Sequence, residues 1–142
     1  MISSENIISI SPQKRIKVIG GDVLHVLKST DNEYRQFNEA YFSFIESGRI
    51  KAWKRHLEMT MNIVVPIGMV EFVFYDSNKN FICKEIIGEN QYSRLTVPPK
   101  IWFGFKCVSK KDALILNISN ILHSANEVER KDISSFEFDV VL

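Results

Sequence analysis

The sequence predicts an all-β protein, one sandwich or barrel of short antiparallel strands. Three observations lead there. Apolar residues recur mostly at period two, as in strands that bury one face. The alternating runs are rich in Val, Ile, Phe and Tyr, which suit a pleated, half-buried surface. Clusters of turn-forming residues separate these runs at short, regular intervals. With 142 residues, 45% of them hydrophobic and 11% aromatic, the chain can fill one core, so residues 1–142 form a single domain.

The elements follow in order. Strands are expected over residues 14–19, 23–28, 40–46, 50–56, 62–65 and 69–75, then 81–87, 92–97, 101–107, 113–118 and 134–140. Gly20-Gly21-Asp22 opens the second strand, and Ser47-Gly48 separates two runs at hairpin distance. Asp76 to Asn80 is a polar loop whose residues tolerate turn conformations. Pro98-Pro99 stops one strand and stiffens entry into the next. Only residues 31–38 and 124–132 have room for a helical turn or two. The pattern leaves open whether the strands form a jelly-roll or an immunoglobulin-like sandwich, although the Cys–Trp–Cys arrangement of the latter is not evident.

Charge and cysteine usage narrow the function classes. A net charge of +1 gives no electrostatic reason to bind nucleic acid or a membrane surface. Apolar runs such as Ile63 to Val65 are far too short to span a bilayer, and residues 1–13 lack the pattern of a secretory signal. Cys83 and Cys107 lack metal-knuckle or redox spacing and read as reduced thiols of a cytoplasmic protein.

Three stretches carry a resemblance. The run Gly48-Arg49-Ile50-Lys51-Ala52-Trp53-Lys54-Arg55-His56 resembles the R-G-x-H-x-Q strand of dTDP-4-dehydrorhamnose 3,5-epimerases. It also resembles the R-G-x-H-x-H strand of the cupin 3,4-ketoisomerases that act on dTDP-4-keto-6-deoxyglucose. Leu95 to Phe105, with Pro98-Pro99-Lys100 and Trp102-Phe103-Gly104-Phe105, resembles the epimerase phrase P-p-G-x-x-H-G-F. Asn120 to Glu127 sits where those families carry N/D-Y-Y-x-P-x-x-E. The landmarks are correctly ordered from Gly20 to Glu127, and the tight interval from His56 to Gly68 favours the ketoisomerase-sized branch.

The resemblance implies a cupin jelly-roll that binds a nucleotide-linked keto-sugar, works without cofactor or metal, and pairs as a homodimer through edge strands. It also exposes departures. The base histidine of the epimerases falls on Lys54, their strand arginine on Lys51, their second histidine on Phe103, and their paired tyrosines on Ile121 and Leu122.

What remains for chemistry is His56 beside Lys54. Alternation puts Ala52, Lys54 and His56 on one face, the one the family turns into the barrel, and Lys51, Trp53 and Arg55 on the other. A histidine titrating near neutrality beside a lysine could shuttle a proton, while the ammonium stabilises an enolate. An inward Lys54 needs either an acid such as Glu71 or a polar cavity, and the cavity is the favoured reading. Lys51 and Arg55, with Arg49, could clamp a pyrophosphate. Trp53 and Trp102, with Phe103, could stack on a base, and Tyr75 or Tyr92 could replace the missing acid. Each of these also has an ordinary role as core or solvated surface. Glu127 reads as structural, and His25 and His123 as surface or packing residues. No metal site is expected, since only His56 lies in a motif. Three functions stand open: an isomerase or epimerase, a sugar-nucleotide-binding module without catalysis, and a structural cupin.

Overall fold

The computed structural model describes residues 7–142. Twelve strands build two facing antiparallel sheets and one small hairpin. In chain order they are β1 (Ser9–Pro12), β2 (Arg15–Ile16), β3 (Val23–Leu24), β4 (Glu39–Ile45), β5 (Ile50–His56) and β6 (Met61–Ile67). The rest are β7 (Met69–Tyr75), β8 (Phe81–Gly88), β9 (Ser93–Val97), β10 (Trp102–Cys107), β11 (Ala113–Ser119) and β12 (Val128–Arg130). One sheet runs β1-β9-β6-β11-β4 and the other β12-β5-β10-β7-β8, while β2 and β3 pair apart from both. Consecutive strands mostly lie in opposite or non-adjacent positions, which is jelly-roll connectivity.

The core lies between the sheets. Ile63, Val65, Leu95, Val97, Ala113 and Ile115 face Val70, Phe72, Phe74, Phe103 and Cys107 across it. Each strand contributes alternate residues, as period-two patterning requires. Gly68 turns β6 into β7 at φ +83°, and a Cβ there would come within 2.8 Å of Ala113.

A second cluster packs on the outside of the β12-β5-β10-β7-β8 sheet. Trp53, Val73, Tyr75 and Trp102 are covered there by Phe136 and Phe138 of the C-terminal segment. This corrects one expected element. Residues 134–140 form no strand; a 3₁₀ turn, Ile133–Ser135, begins the segment, and its phenylalanines lie over the sheet instead of pairing with it. Asp132 starts that turn by accepting from the Ser134 amide at 3.0 Å. The helical turn expected within residues 124–132 is confined to Ala125–Glu127, and the chain then becomes β12. By contrast, β5 and β7 have the ends expected from sequence.

One irregularity decides which side chains meet. Along β10, Phe103 lies opposite Lys54, but Gly104 lies opposite Ala52. Trp53 is therefore an extra residue in β5, a bulge that reverses the alternation before it. Gly104 permits the close approach, since a Cβ there would sit 2.7 Å from that of Ala52 and 3.0 Å from the Trp53 ring. Strict alternation had placed Ala52 inward and Lys51 outward. The bulge exchanges them: Ala52 packs with the outer cluster, and Lys51 shares the inner face with Phe105, its partner in register.

Candidate active site

A cavity of about 710 Å³ opens between the sheets where β4 faces β5. That volume suits a sizeable small-molecule ligand. Tyr41 and Ser43 line it from β4, Lys51 and Lys54 from β5, Phe103 and Phe105 from β10, and Arg130 from the end of β12. Arg130 arrives beside Lys54 because the two are partners in the β12–β5 register.

Lys51, Lys54 and Arg130 thus share one wall, and Lys131 and Asp132 also line the cavity. Among the described residues, Lys51, Lys54 and Arg130 have no carboxylate within ion-pairing distance. Lys51 donates instead to the Phe44 carbonyl at 3.0 Å. Burial holds the Lys54 amine below its ordinary value, with the charges of Arg130 and Lys51 adding to the effect and Glu127 opposing it. The alternative of a Lys54–Glu71 pair is excluded by geometry. Glu71 lies on the outer face of β7, between the inward Val70 and Phe72, opposite Lys106.

His56 sits deeper than the cavity wall. It is 4% exposed, and its ring is stacked over Phe103 with centroids 6.0 Å apart. Nδ1 lies 2.5 Å from Glu127 Oε1, and Glu127 Oε2 accepts from the Glu58 and Met59 amides at 3.3 Å each. Sequence reasoning gave Glu127 a structural part, and the structure shows what it holds: the imidazole and the loop after β5. Burial pushes the His56 pKa below its usual value, although the Glu127 hydrogen bond and charge act the other way.

The remaining sequence candidates divide by sheet face. Arg55 points outward, paired with Glu129, with its guanidinium 4.8 Å from the Trp102 ring centroid. Trp102 and Tyr75 are buried on the same outer side, and Tyr75 donates its hydroxyl to the Glu137 carbonyl at 2.5 Å. Trp53 borders the cavity, but its indole belongs to the outer cluster, 2% exposed, with Nε1 donating to the Ile133 carbonyl at 3.0 Å. Trp53, Tyr75 and Trp102 therefore pack under the C-terminal cover and Arg55 lies beside Trp102 on the same outer face, whereas Lys51 and Lys54 meet at the cavity. Tyr92 donates to the His25 carbonyl at 2.7 Å. No group of three or more potential metal-ligating side chains converges among the described residues.

Arg130 and Tyr41 are among the cavity residues that sequence reasoning missed. Arg130 lay in a stretch read as a helical turn, which hid its register with Lys54. Tyr41 lay in an expected strand with aromatics at successive positions, so neither face stood out as the inner one. Pairing with β11 settles this, since Tyr41 lies opposite the buried Asn117.

Comparison with known proteins agrees with this architecture. No protein-family model matches the chain. A solved dTDP sugar isomerase from Desulfovibrio desulfuricans G20 superposes with a TM-score of 0.85 at 34% identity, covering 90% of this chain and 85% of that one. The dTDP-4-dehydrorhamnose 3,5-epimerase from Sulfolobus tokodaii shares the fold at a TM-score of 0.80 and 19% identity, over 99% of this chain and 84% of that one. A probable low-salt glycan biosynthesis epimerase, Agl13 of Haloferax volcanii, is 27% identical over 120 residues, 80% of this chain and 77% of the relative. The chain belongs to the dTDP-sugar isomerase and epimerase family of cupin jelly-rolls, from whose epimerase motifs it departs at Lys51, Lys54, Phe103, Ile121 and Leu122.

Proposed function

We propose that the protein is an isomerase or epimerase of a nucleotide-linked 4-keto-6-deoxyhexose, a dTDP-sugar, in the assembly of surface glycans. The observation that carries this reading is the ligand-sized cavity wall of Lys51, Lys54 and Arg130, which have no ion-pair partner among the described residues, in a cavity that Lys131 and Asp132 also line. Unpaired cations suit a ligand that brings its own negative charge, as a nucleoside diphosphate does. Phe103 and Phe105 give the same wall an apolar floor for a deoxy-sugar ring.

The chemistry beside a carbonyl needs a base for the acidified C–H proton and positive charge for the enolate oxygen. Lys54 takes the base role. It lines the cavity, and burial, with the charges of Arg130 and Lys51, lowers its pKa, so it gives up its proton more readily than an exposed lysine. The guanidinium of Arg130 and the ammonium of Lys51 then stabilise the enolate. His56, fixed by Glu127 behind Phe103, positions the end of β5 and shapes the field at Lys54.

Incubation with dTDP-4-keto-6-deoxyglucose in deuterated water tests the reading. Uptake of deuterium next to the carbonyl, lost in Lys54→Met, is the expected result. Nucleotide-sugar binding with no exchange would instead make the protein a binding module, the alternative that Ile121 and Leu122 at the family's tyrosine positions favour.

The working unit is a homodimer. Phe42 and Phe44 alternate outward from β4 at 62% and 68% exposure, and Ile67 adds 45% nearby on the same sheet face. Leu114, Leu116 and Ile118 of β11 lie between them, half-buried. Such a contiguous apolar face on a jelly-roll sheet suits an isologous contact with a second copy. The two free thiols, Cys107 buried and Cys83 pushed up to about 11 by burial, suit a reducing cytoplasm.

A further inference from the structure

Lys51, Lys54 and Lys131 line the cavity, and their amines are committed differently. Lys51 Nζ donates to the Phe44 carbonyl at 3.0 Å. Lys131 Nζ lies over the outer cluster, 4.9 Å from the Trp102 ring centroid and 5.5 Å from that of Phe136. Lys54 is half-buried and has neither a hydrogen bond nor an ion pair among the described residues. A polar group in such a place is completed by what enters the cavity.

The neighbours of Lys54 suit a nucleophile. Phe103 is its partner in β10 and Arg130 its partner in β12, so an apolar ring flanks it on one side and a guanidinium on the other. Desolvation and a second cation are the two conditions that activate a lysine amine toward carbonyl carbon. Burial and the charges of Arg130 and Lys51 accordingly hold its pKa below the ordinary lysine value. An imidazole at the family's base position can remove a proton from carbon. A primary amine there can also form a C=N bond.

We propose that Lys54 captures the ketone of a nucleotide-linked keto-sugar as a Schiff base. This rests on the reading of the cavity as a keto-sugar site, and it adds a covalent route to the amine's work as a base. The neutral nitrogen bonds to the carbonyl carbon as the C=O π electrons move to oxygen, giving a carbinolamine. One N–H hydrogen and one proton from solvent leave with that oxygen as water. The nitrogen keeps its other hydrogen in the resulting C=N iminium, whose charge the ligand's own diphosphate offsets. The iminium draws electrons from the neighbouring C–H bond, so that proton passes to water in the open cavity and an enamine forms. Protonation at carbon and hydrolysis of the C=N bond return ketone and amine, so no oxidant, reductant or cofactor enters the balance.

The test uses sodium cyanoborohydride, which reduces an iminium in preference to a ketone at neutral pH. Full-length protein with dTDP-4-keto-6-deoxyglucose and this reagent should gain the mass of the ligand less one oxygen atom. Peptide mapping should place the gain on Lys54, and excess dTDP should remove most of it by competing for the cavity. Lys54→Arg keeps a cation in the wall but cannot condense, and should lose the adduct. Because the map is read on the parent, the decision does not depend on a variant that folds. Deuterium uptake from solvent is measured on the same protein.

Uptake without an adduct overturns the proposal and leaves Lys54 as a base alone. Labelling confined to Lys51 or to surface lysines overturns it as well, as does a Lys54 adduct that excess dTDP leaves untouched. A dTDP-sensitive adduct on Lys54 without uptake upholds the capture and sinks the isomerase reading. With neither adduct nor uptake, both fall.

Discussion

Replacing His56 separates two roles that the same residue could play. The imidazole is buried against Glu127, whose carboxylate has, among the described residues, two long amide contacts besides it. His56→Ala strands that carboxylate in the core, and breaking a buried pair in this way costs about 3–5 kcal/mol. For a chain of this size, each kcal/mol moves Tm by about 2–4 °C, so the variant should melt roughly 10 °C lower. His56→Gln keeps an N–H donor for Glu127 and should recover most of that loss. It also places in β5 the residue that the epimerase strand carries at this position. Thermal unfolding followed by circular dichroism reads the stability, and deuterium uptake from solvent reads the chemistry. With Lys54 as base, folded His56→Gln keeps uptake within about tenfold of the parent, whereas Lys54→Met loses about 10²–10⁴-fold. The assignment is refuted if His56→Gln melts within a few degrees of the parent yet loses uptake as completely as Lys54→Met does.

Other expectations follow from the same geometry. The folded imidazole of His56 titrates below its unfolded value of 6.5, so the unfolded chain binds more protons in that window. Stability should rise with pH up to about 6.5 and fall on acidification, with a smaller dependence in His56→Gln, as urea midpoints across pH will show. The uptake rate should rise with pH along a limb set by Lys54, centred below the ordinary lysine value of 10.5. Arg130→Met should weaken dTDP binding by about tenfold or more in calorimetry, with less salt dependence, since a charge-assisted hydrogen bond is worth about 1.5–3 kcal/mol; unchanged affinity would remove the cation wall from nucleotide recognition. Phe136→Ala uncovers the Trp53, Tyr75 and Trp102 cluster and should cost about 3–5 kcal/mol by denaturant titration. Phe44→Glu, on the bare sheet face, should give monomers by light scattering where the parent gives dimers.

The fold was legible wherever local alternation and turn chemistry agreed. In β7, Val70, Phe72 and Phe74 alternate inward, and the Asp76 loop closes the strand: Asp76 Oδ1 accepts from the Asn78 and Asn80 amides at 2.8 and 2.9 Å. The C-terminal run misled because Phe136, Phe138 and Val140 alternate as a strand would. Alternation reports which side chains are buried, whereas pairing depends on whether a free strand edge lies within reach. Here the partner is a sheet face, and Tyr75 and Lys84 hold the segment through its carbonyls. The site was legible at Lys54, where an inward lysine implied a cavity, and illegible at Lys51, whose face depends on a bulge.

That bulge links fold and function more closely than any motif residue does. Without the extra residue at Trp53, Lys51 would point outward and Lys54 would be left with Arg130 as its cationic neighbour on the inner face. With it, the outer cluster gains the Trp53 indole and the cavity gains a further positive charge, so one backbone irregularity serves both faces of the sheet. Gly104 is what allows it. Gly104→Ala would press a methyl to 2.7 Å from the Ala52 Cβ, closer than real side chains come, and tightly against the Trp53 ring at 3.0 Å. β5 would then have to shift, and the C-terminal cover and the cation wall should fail together: a lower Tm and a weaker affinity for dTDP in the same variant. A variant that loses stability but binds dTDP as the parent does would show that the cavity wall does not depend on the bulge.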